Sequence, residues 1–425
     1  MGLLRTRTAR HASFIAVVNF ASAILRFCVT VLMAKILIPA EWGNIAVFIA
    51  LMDIVSVLCD SGLNATLVRF VAGDTTSRAT TVFGRCLTMK AAIAAMLFGV
   101  LWALREPIVA NQQFPEDFHW VYPLAISAGL FLSFLGLFLS VFQAKQAYGL
   151  YSLGYLSVNT LRGVGLAIVV VAGLRSVDAV TVPFFCAPIV ALVLTLPLVI
   201  LTLKPGASLP RPAVSWKTMV AFAAPLSIMG AIAIGNMRIS NFMLKTLASP
   251  EAVANYELAY QIGFVFPLFT GALITVLLPK VSAMQTQAEL GDYRRRLLRM
   301  YPIVLSLTLA GMVIGPWFIS LVFGTKYAAS LPIIRLLLIG FGVHVITHPL
   351  GLVFYAVSRP ICLAGIYLAQ FVVMVSLNYF LIPKWEGIGA ALALSVSLLV
   401  AAVAVVGISG WVIKNFPHEL HETNL

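Results

Sequence analysis

Charge is what this sequence has least of. Only 10% of its 425 residues are Asp, Glu, Lys or Arg, while 61% are hydrophobic, and the mean hydropathy is +1.01. Soluble domains carry about 25% charged and 45–50% apolar residues, so a soluble fold is excluded. Polar connectors are short throughout, which leaves no room for a separate soluble domain. A phosphate loop of the Gly-x4-Gly-Lys-Ser/Thr type is missing, which excludes ATP hydrolysis by that route. Cysteine is scarce as well. Cys28, Cys59, Cys86, Cys186 and Cys362 stand singly in apolar runs, with neither CxxC nor Cys/His ligand spacing. They read as small buried hydrophobes, not as disulfides or metal ligands, and no cofactor is implied. The formal net charge of +13 is not gathered on a soluble basic domain, which argues against nucleic acid as a partner.

What is present is a series of apolar runs of about 20 residues, each long enough to cross a bilayer as a helix. Twelve spans are expected, at 14–36, 44–64, 82–103, 120–142, 151–173, 178–203, 218–243, 256–279, 300–323, 332–357, 361–383 and 387–413. Arg5, Arg7, Arg10 and His11 before the first run, with Ala21-Ser22-Ala23 inside it, resemble a secretory signal. The run continues past Arg26 to about residue 36, so an uncleaved first span is the better reading. With the N-terminus inside, seventeen of the 28 Lys and Arg residues fall on cytoplasmic segments, Lys204, Arg211 and Lys280 among them, and seven fall outside. That bias predicts that both termini are cytoplasmic.

A weak repeat runs through the chain at an offset of 211 residues. Pro39 to Ile45 matches Pro250 to Tyr256, and Leu67-Val68-Arg69 matches Leu278-Pro279-Lys280. Allowing one residue of slip, Arg26 aligns with Arg238 and Lys35 with Lys245. The expected fold is therefore an all-α membrane protein of about twelve transmembrane helices. They form two six-helix lobes, 1–210 and 211–425, related by a pseudo-two-fold axis along the membrane normal, with cargo between them. Prolines 183, 188, 197, 225, 267, 302, 316 and 349 fall within the spans and are expected to kink their helices. Gly311 and Gly315 have the spacing of a close helix contact.

Four cations, Arg26, Lys90, Arg162 and Arg238, lie within the spans, where a charge costs at least about 2.5–3.5 kcal/mol. Two readings stand for each. Arg26 could be neutralised by Asp53, Lys90 by Asp60 and Arg238 by Glu257; alternatively, all four line a wet cleft and meet an anionic cargo. Arg162, central in the fifth span with Asn159 one turn away, has no acidic residue at its depth beyond Asp53. A guanidinium grips phosphate oxygens with paired hydrogen bonds and stays charged, so Arg162 is expected to be the first substrate contact. Arg26 follows, with Asn19 on its helix face, then Arg238 and Lys90. Asp53, Asp60 and Glu257 are the expected ion-coupling carboxylates. His344 and His348, four residues apart, either sense protons or hydrogen-bond within the bundle; a metal site would need a third ligand. The basic connector 280–299 suits anionic membrane lipids, and ordinary inward-positive topology explains it as well.

The segment Ala34-Lys35-Ile36-Leu37-Ile38-Pro39-Ala40-Glu41-Trp42-Gly43, followed by Asp60-Ser61-Gly62-Leu63, resembles the opening signature of the polysaccharide transporter family. This is the O-antigen flippase branch of the multidrug/oligosaccharidyl-lipid/polysaccharide exporter superfamily. Ile38 stands where a glycine often precedes the proline, and Trp42 where a Phe or small aromatic is usual. The resemblance implies a non-enzymatic carrier that flips undecaprenyl-diphosphate-linked glycan toward the periplasm, with a polysaccharide polymerase as a further partner. Two rivals stand beside it. A multidrug or cation antiporter shares the fold but should favour acidic residues in its cavity. A membrane-embedded glycan ligase or polymerase should carry a large outer loop, whereas the longest here, about 104–119, is short.

Overall fold

The computed structural model describes residues 2–72, 78–203, 214–282, 284, 286–357 and 359–415, with backbone alone for 2–16, 78, 272, 275, 276, 279 and 360. Lys204, Arg211 and the expected lobe boundary at 210/211 lie outside the described residues. Contacts divide the chain into a first unit, Met1–Thr246, and a second, Leu247–Leu425. Among the described residues every regular element is helical, and ten helices are long and apolar enough to cross a membrane.

The first unit comprises α1 (Gly2–Ile36), α2 (Pro39–Asp60), α3 (Leu63–Val71), α4 (Arg78–Ala103), α5 (Arg105–Asn111), α6 (Val121–Ala144), α7 (Tyr148–Val171), α8 (Val177–Thr202) and α9 (Trp216–Leu247). Its centre is α6, which packs on α2, α3, α7 and α8, while α1 lies along α7. Pro39 opens α2 at a position where the missing N–H is not needed, and the Glu41 carboxylate accepts from the Ile38 N–H at 3.0 Å. The helix stops where Ser61 and Gly62 turn left-handed, at φ 44° and 73°. Glycine is required at 62, because a Cβ there would lie 2.7 Å from the Ala223 carbonyl oxygen of α9. The residues of the outer loop 104–119 fold as α5 and a short 3-10 turn. Phe114 stacks on Phe48 at 4.3 Å, and Gln112 donates to Thr246 at 2.6 Å.

The second unit comprises α10 (Pro250–Gly263), α11 (Val265–Ser282), α12 (Gln287–Arg299), α13 (Tyr301–Phe323), α14 (Ser330–Leu350), α15 (Leu352–Ala356) and α16 (Pro360–Lys414). Here α14 is the hub, packed on α10, α11, α13 and α16. Its α10 opens like α2, with Pro250 in the first turn, and Ser249 Oγ caps Ala252 N–H at 3.1 Å. α16 is two helices joined at Glu386, whose φ of 46° and ψ of −125° interrupt it. Counting that break, and taking α10 with α11 as one span, each of the twelve expected spans has its helix.

Two details differ from expectation. The segment 280–299 is largely a helix, α12, because Thr286 and Glu289 form a reciprocal cap and Leu290, Tyr293 and Leu297 recur with helical spacing on a buried face. Pro302 does not kink its span, because it sits in the first turn of α13. Within the first unit α9 is tied in by contacts such as Arg69 over Phe222, 4.5 Å from the ring centre. Gly311 and Gly315 do mark a close contact: a Cβ at 315 would lie 2.7 Å from Ile334 Cδ1.

Candidate functional site

Three guanidinium groups converge on one turn of α2. Arg238 of α9, only 1% exposed, donates to Asp53 Oδ2 at 2.5 Å, and Arg26 of α1 reaches the same oxygen at 3.4 Å. Arg162 of α7 donates from a terminal nitrogen to the sulfur of Met52, the neighbouring residue, at 3.3 Å. Tight packing fixes this turn. A Cβ on Gly129 of α6 would lie 2.6 Å from the Met52 carbonyl oxygen and 2.9 Å from Val55 Cβ, so the absence of a side chain there lets α2 lie directly against α6.

Although these three arginines share a turn, their surroundings differ. Arg162 is 5% exposed; its Nε donates to the Phe184 carbonyl at 3.0 Å and its guanidinium lies 4.0 Å from the Phe184 ring centre. The backbone explains this contact. Residue 188 is proline, which has no N–H to give the carbonyl four residues earlier. Arg162 supplies the missing donor, and the Phe184 ring and Met52 sulfur complete its enclosure. Two of the five N–H donors of Arg162, and one face of its guanidinium, are thus engaged by packed protein. Arg26 differs: its side chain is 40% exposed. A guanidinium has five N–H donors, and the single ion pair of Arg26 is to an oxygen that Arg238 already holds more closely.

Seven residues along α2 from Asp53, Asp60 holds a fourth cation, which is fully enclosed. Lys90 of α4 is 0% exposed. Its ammonium donates to Asp60 at 3.0 Å, to Asn64 Oδ1 at 2.9 Å and to the Ser133 carbonyl at 2.9 Å. An ammonium has three donors, and all three are engaged. Asp60 belongs to the same cluster, accepting also from Asn64 N–H at 3.2 Å.

The remaining expected residues divide similarly. Asn159 ties α7 to α1 by donating to Ser22 Oγ at 2.9 Å, a packing role. Asn19 is exposed on α1. Glu257 belongs to the second unit, where it is 2% exposed and accepts from Gln261 at 2.7 Å. His344 and His348 stack on α14 with ring centres 4.5 Å apart. Cys59 and Cys86 are buried as expected, whereas Cys28 is exposed.

These features define an all-helical multi-pass membrane protein with a charged cluster inside its helices, and similarity to known proteins narrows the class. The profile described as "Polysaccharide biosynthesis protein" matches residues 8–285, and the chain belongs to that family. It is 22% identical over 191 residues to a putative O-antigen transporter of Shigella flexneri, covering 44% of this chain and 46% of that protein. It is 29% identical over 141 residues to the lipopolysaccharide biosynthesis protein WzxC of Escherichia coli K12, covering 32% and 29%. Each match thus spans less than half of the relative. Among solved structures, the lipid II flippase MurJ in an inward closed conformation has a TM-score of 0.76 at 13% identity, covering 95% of this chain and 88% of that one. An inward-facing multidrug-resistance MATE transporter has a TM-score of 0.74 at 12% identity, covering 94% and 98%. The chain shares the fold of these two structures.

Proposed function

We propose that this protein flips a lipid-linked, anionic oligosaccharide, carried on undecaprenyl diphosphate, across the bacterial inner membrane for polysaccharide or O-antigen assembly. In this reading the sugars pass between lobes 1–210 and 211–425 by alternating access, both termini are cytoplasmic, and the polyprenyl tail stays in lipid. The family and the O-antigen transporter relative support the class of cargo. The observation that carries the chemistry is Arg26, a half-exposed guanidinium at bilayer depth with most of its donors unclaimed. It is suited to the two-point grip on phosphate oxygens that a diphosphate offers. In this reading Arg26 exchanges between Asp53 and the cargo phosphate, and Asp53 carries a coupled ion.

The test is binding and transport of a short-chain polyprenyl-diphosphate glycan by protein in proteoliposomes. Arg26→Gln should weaken binding by about 10–30-fold, as expected for losing a charge-assisted contact worth about 1.5–2 kcal/mol. Unchanged glycan handling, with efflux of a lipophilic cation altered instead, would shift the assignment to a cation antiporter. The multidrug transporter with the same fold keeps that second reading in play. A glycan ligase is disfavoured by the compact outer segment around α5.

A further inference from the structure

A second basic site lies far along the chain from Arg26, wholly within the second unit. Between α12 and the end of α16 is an open cleft of about 460 Å³, bordered by Gln287, Gly291, Arg294, Arg295, Gly410 and Lys414. Its shape follows from three packing facts. Leu290, Tyr293 and Leu297 bury the apolar face of α12 in the unit's core. Gln287 donates to the Lys414 carbonyl at 3.3 Å, tying the start of α12 to the end of α16. Arg294 lies on α16 beside Gly410, its guanidinium 3.4 Å from where a Cβ at 410 would stand, and it donates to the Val406 carbonyl at 3.3 Å. The Arg294 Nε is shielded from solvent and has no hydrogen-bond partner. Arg295 is paired with Asp292 at 2.7 Å, and both are exposed.

The location identifies the ligand chemistry. The apolar spans of α16 and α13 end and begin at this cleft, so it stands at one membrane surface. Trp411, the chain neighbour of Gly410, is exposed, and aromatic residues at the ends of membrane spans sit at headgroup level. Three cations, Arg294, Arg295 and Lys414, border the recess. We infer that this cleft is a binding site for the headgroup of an anionic phospholipid, with Arg294 and Lys414 on the phosphate and the acyl chains lying along Trp411. This inference is independent of the transport reading and concerns a different set of residues.

The experiment is native mass spectrometry of the full-length protein released from detergent after titration with phosphatidylglycerol, phosphatidylethanolamine or inorganic phosphate. Wild-type protein should retain phosphatidylglycerol in preference to phosphatidylethanolamine. Arg294→Gln and Lys414→Gln should each lower that retention roughly fivefold. Gly410→Leu should lower it comparably without changing any charge, because it fills the recess. Arg296→Gln, which removes an exposed cation of the same helix outside the cleft, should change it little. Equal retention of the two lipids by wild-type protein overturns the inference, and needs no variant to fold. So does displacement by inorganic phosphate at matched concentration, which would make this a soluble-anion site. Equal losses in Arg296→Gln and Arg294→Gln would replace a defined cleft with a diffuse basic surface.

Discussion

Two cations in the first unit occupy comparable settings and come to opposite ends. Lys90 and Arg26 each pair with a carboxylate of α2, Asp60 and Asp53 respectively. Around Lys90 the protein provides three acceptors for three donors and excludes solvent. Around Arg26 it provides a share of one oxygen and leaves the group half exposed. An intramembrane charge is therefore not a functional residue by position alone. What separates a structural charge from one held ready for a ligand is whether the protein itself saturates it. The following substitutions test that distinction, from the largest expected effect on stability to the smallest.

Lys90→Met should be the most damaging. It leaves Asp60, Asn64 and the Ser133 carbonyl without their common donor, and removing one partner of a buried pair costs about 3–5 kcal/mol. The thermal unfolding midpoint of purified protein in detergent should fall sharply. Lys90→Met combined with Asp60→Leu should recover part of the loss, because no orphaned charge remains. A Lys90→Met protein as stable as wild type would remove the contrast with Arg26.

Gly129→Ala comes next, at about 1–3 kcal/mol, the usual cost of overpacking. The added methyl would press on the Met52 carbonyl and displace the turn that all three arginines share. This variant should lose glycan binding as well as stability, since Arg26 and Arg238 both depend on where that turn places Asp53. Loss of stability with binding intact would show that the site lies elsewhere.

How much of this was legible beforehand follows from the same residues. Hydropathy marked the spans, because helix length in a bilayer is set by its thickness, and the sequence around Pro39 and Gly62 marked the family. The partners Asp53 for Arg26 and Asp60 for Lys90 were readable as options from matching depth. What spacing could not show was the third dimension of helix packing. The clue to Arg162 was present as Pro188, whose missing N–H frees the Phe184 carbonyl. That clue becomes usable only once α7 is known to pack against α8. Similarly, Thr286 and Glu289 announced a helix start within what otherwise read as a basic connector. The pairing of Arg238 with Asp53, 185 residues apart, left no local trace.

Asn159→Ala should cost less, about 0.6 kcal/mol, the average for a hydrogen bond between membrane helices. It removes the bond to Ser22 and should lower the unfolding midpoint slightly while leaving glycan binding within about twofold of wild type. A large binding loss without a stability change would return Asn159 to the substrate-contact set.

Arg26 should matter least to stability and most to transport. An ion pair at 3.4 Å with a half-exposed partner contributes about 0–1 kcal/mol, and Asp53 keeps Arg238 when Arg26 is gone. Arg26→Gln should therefore unfold near the wild-type midpoint, so its binding loss can be read as lost recognition and not as lost fold. Arg26→Lys sharpens the point. It restores the charge but not the planar fork, so it should recover binding only in part if two phosphate oxygens are gripped together. Full recovery by lysine would mean that the site senses charge alone, and the diphosphate specificity would have to reside in other residues.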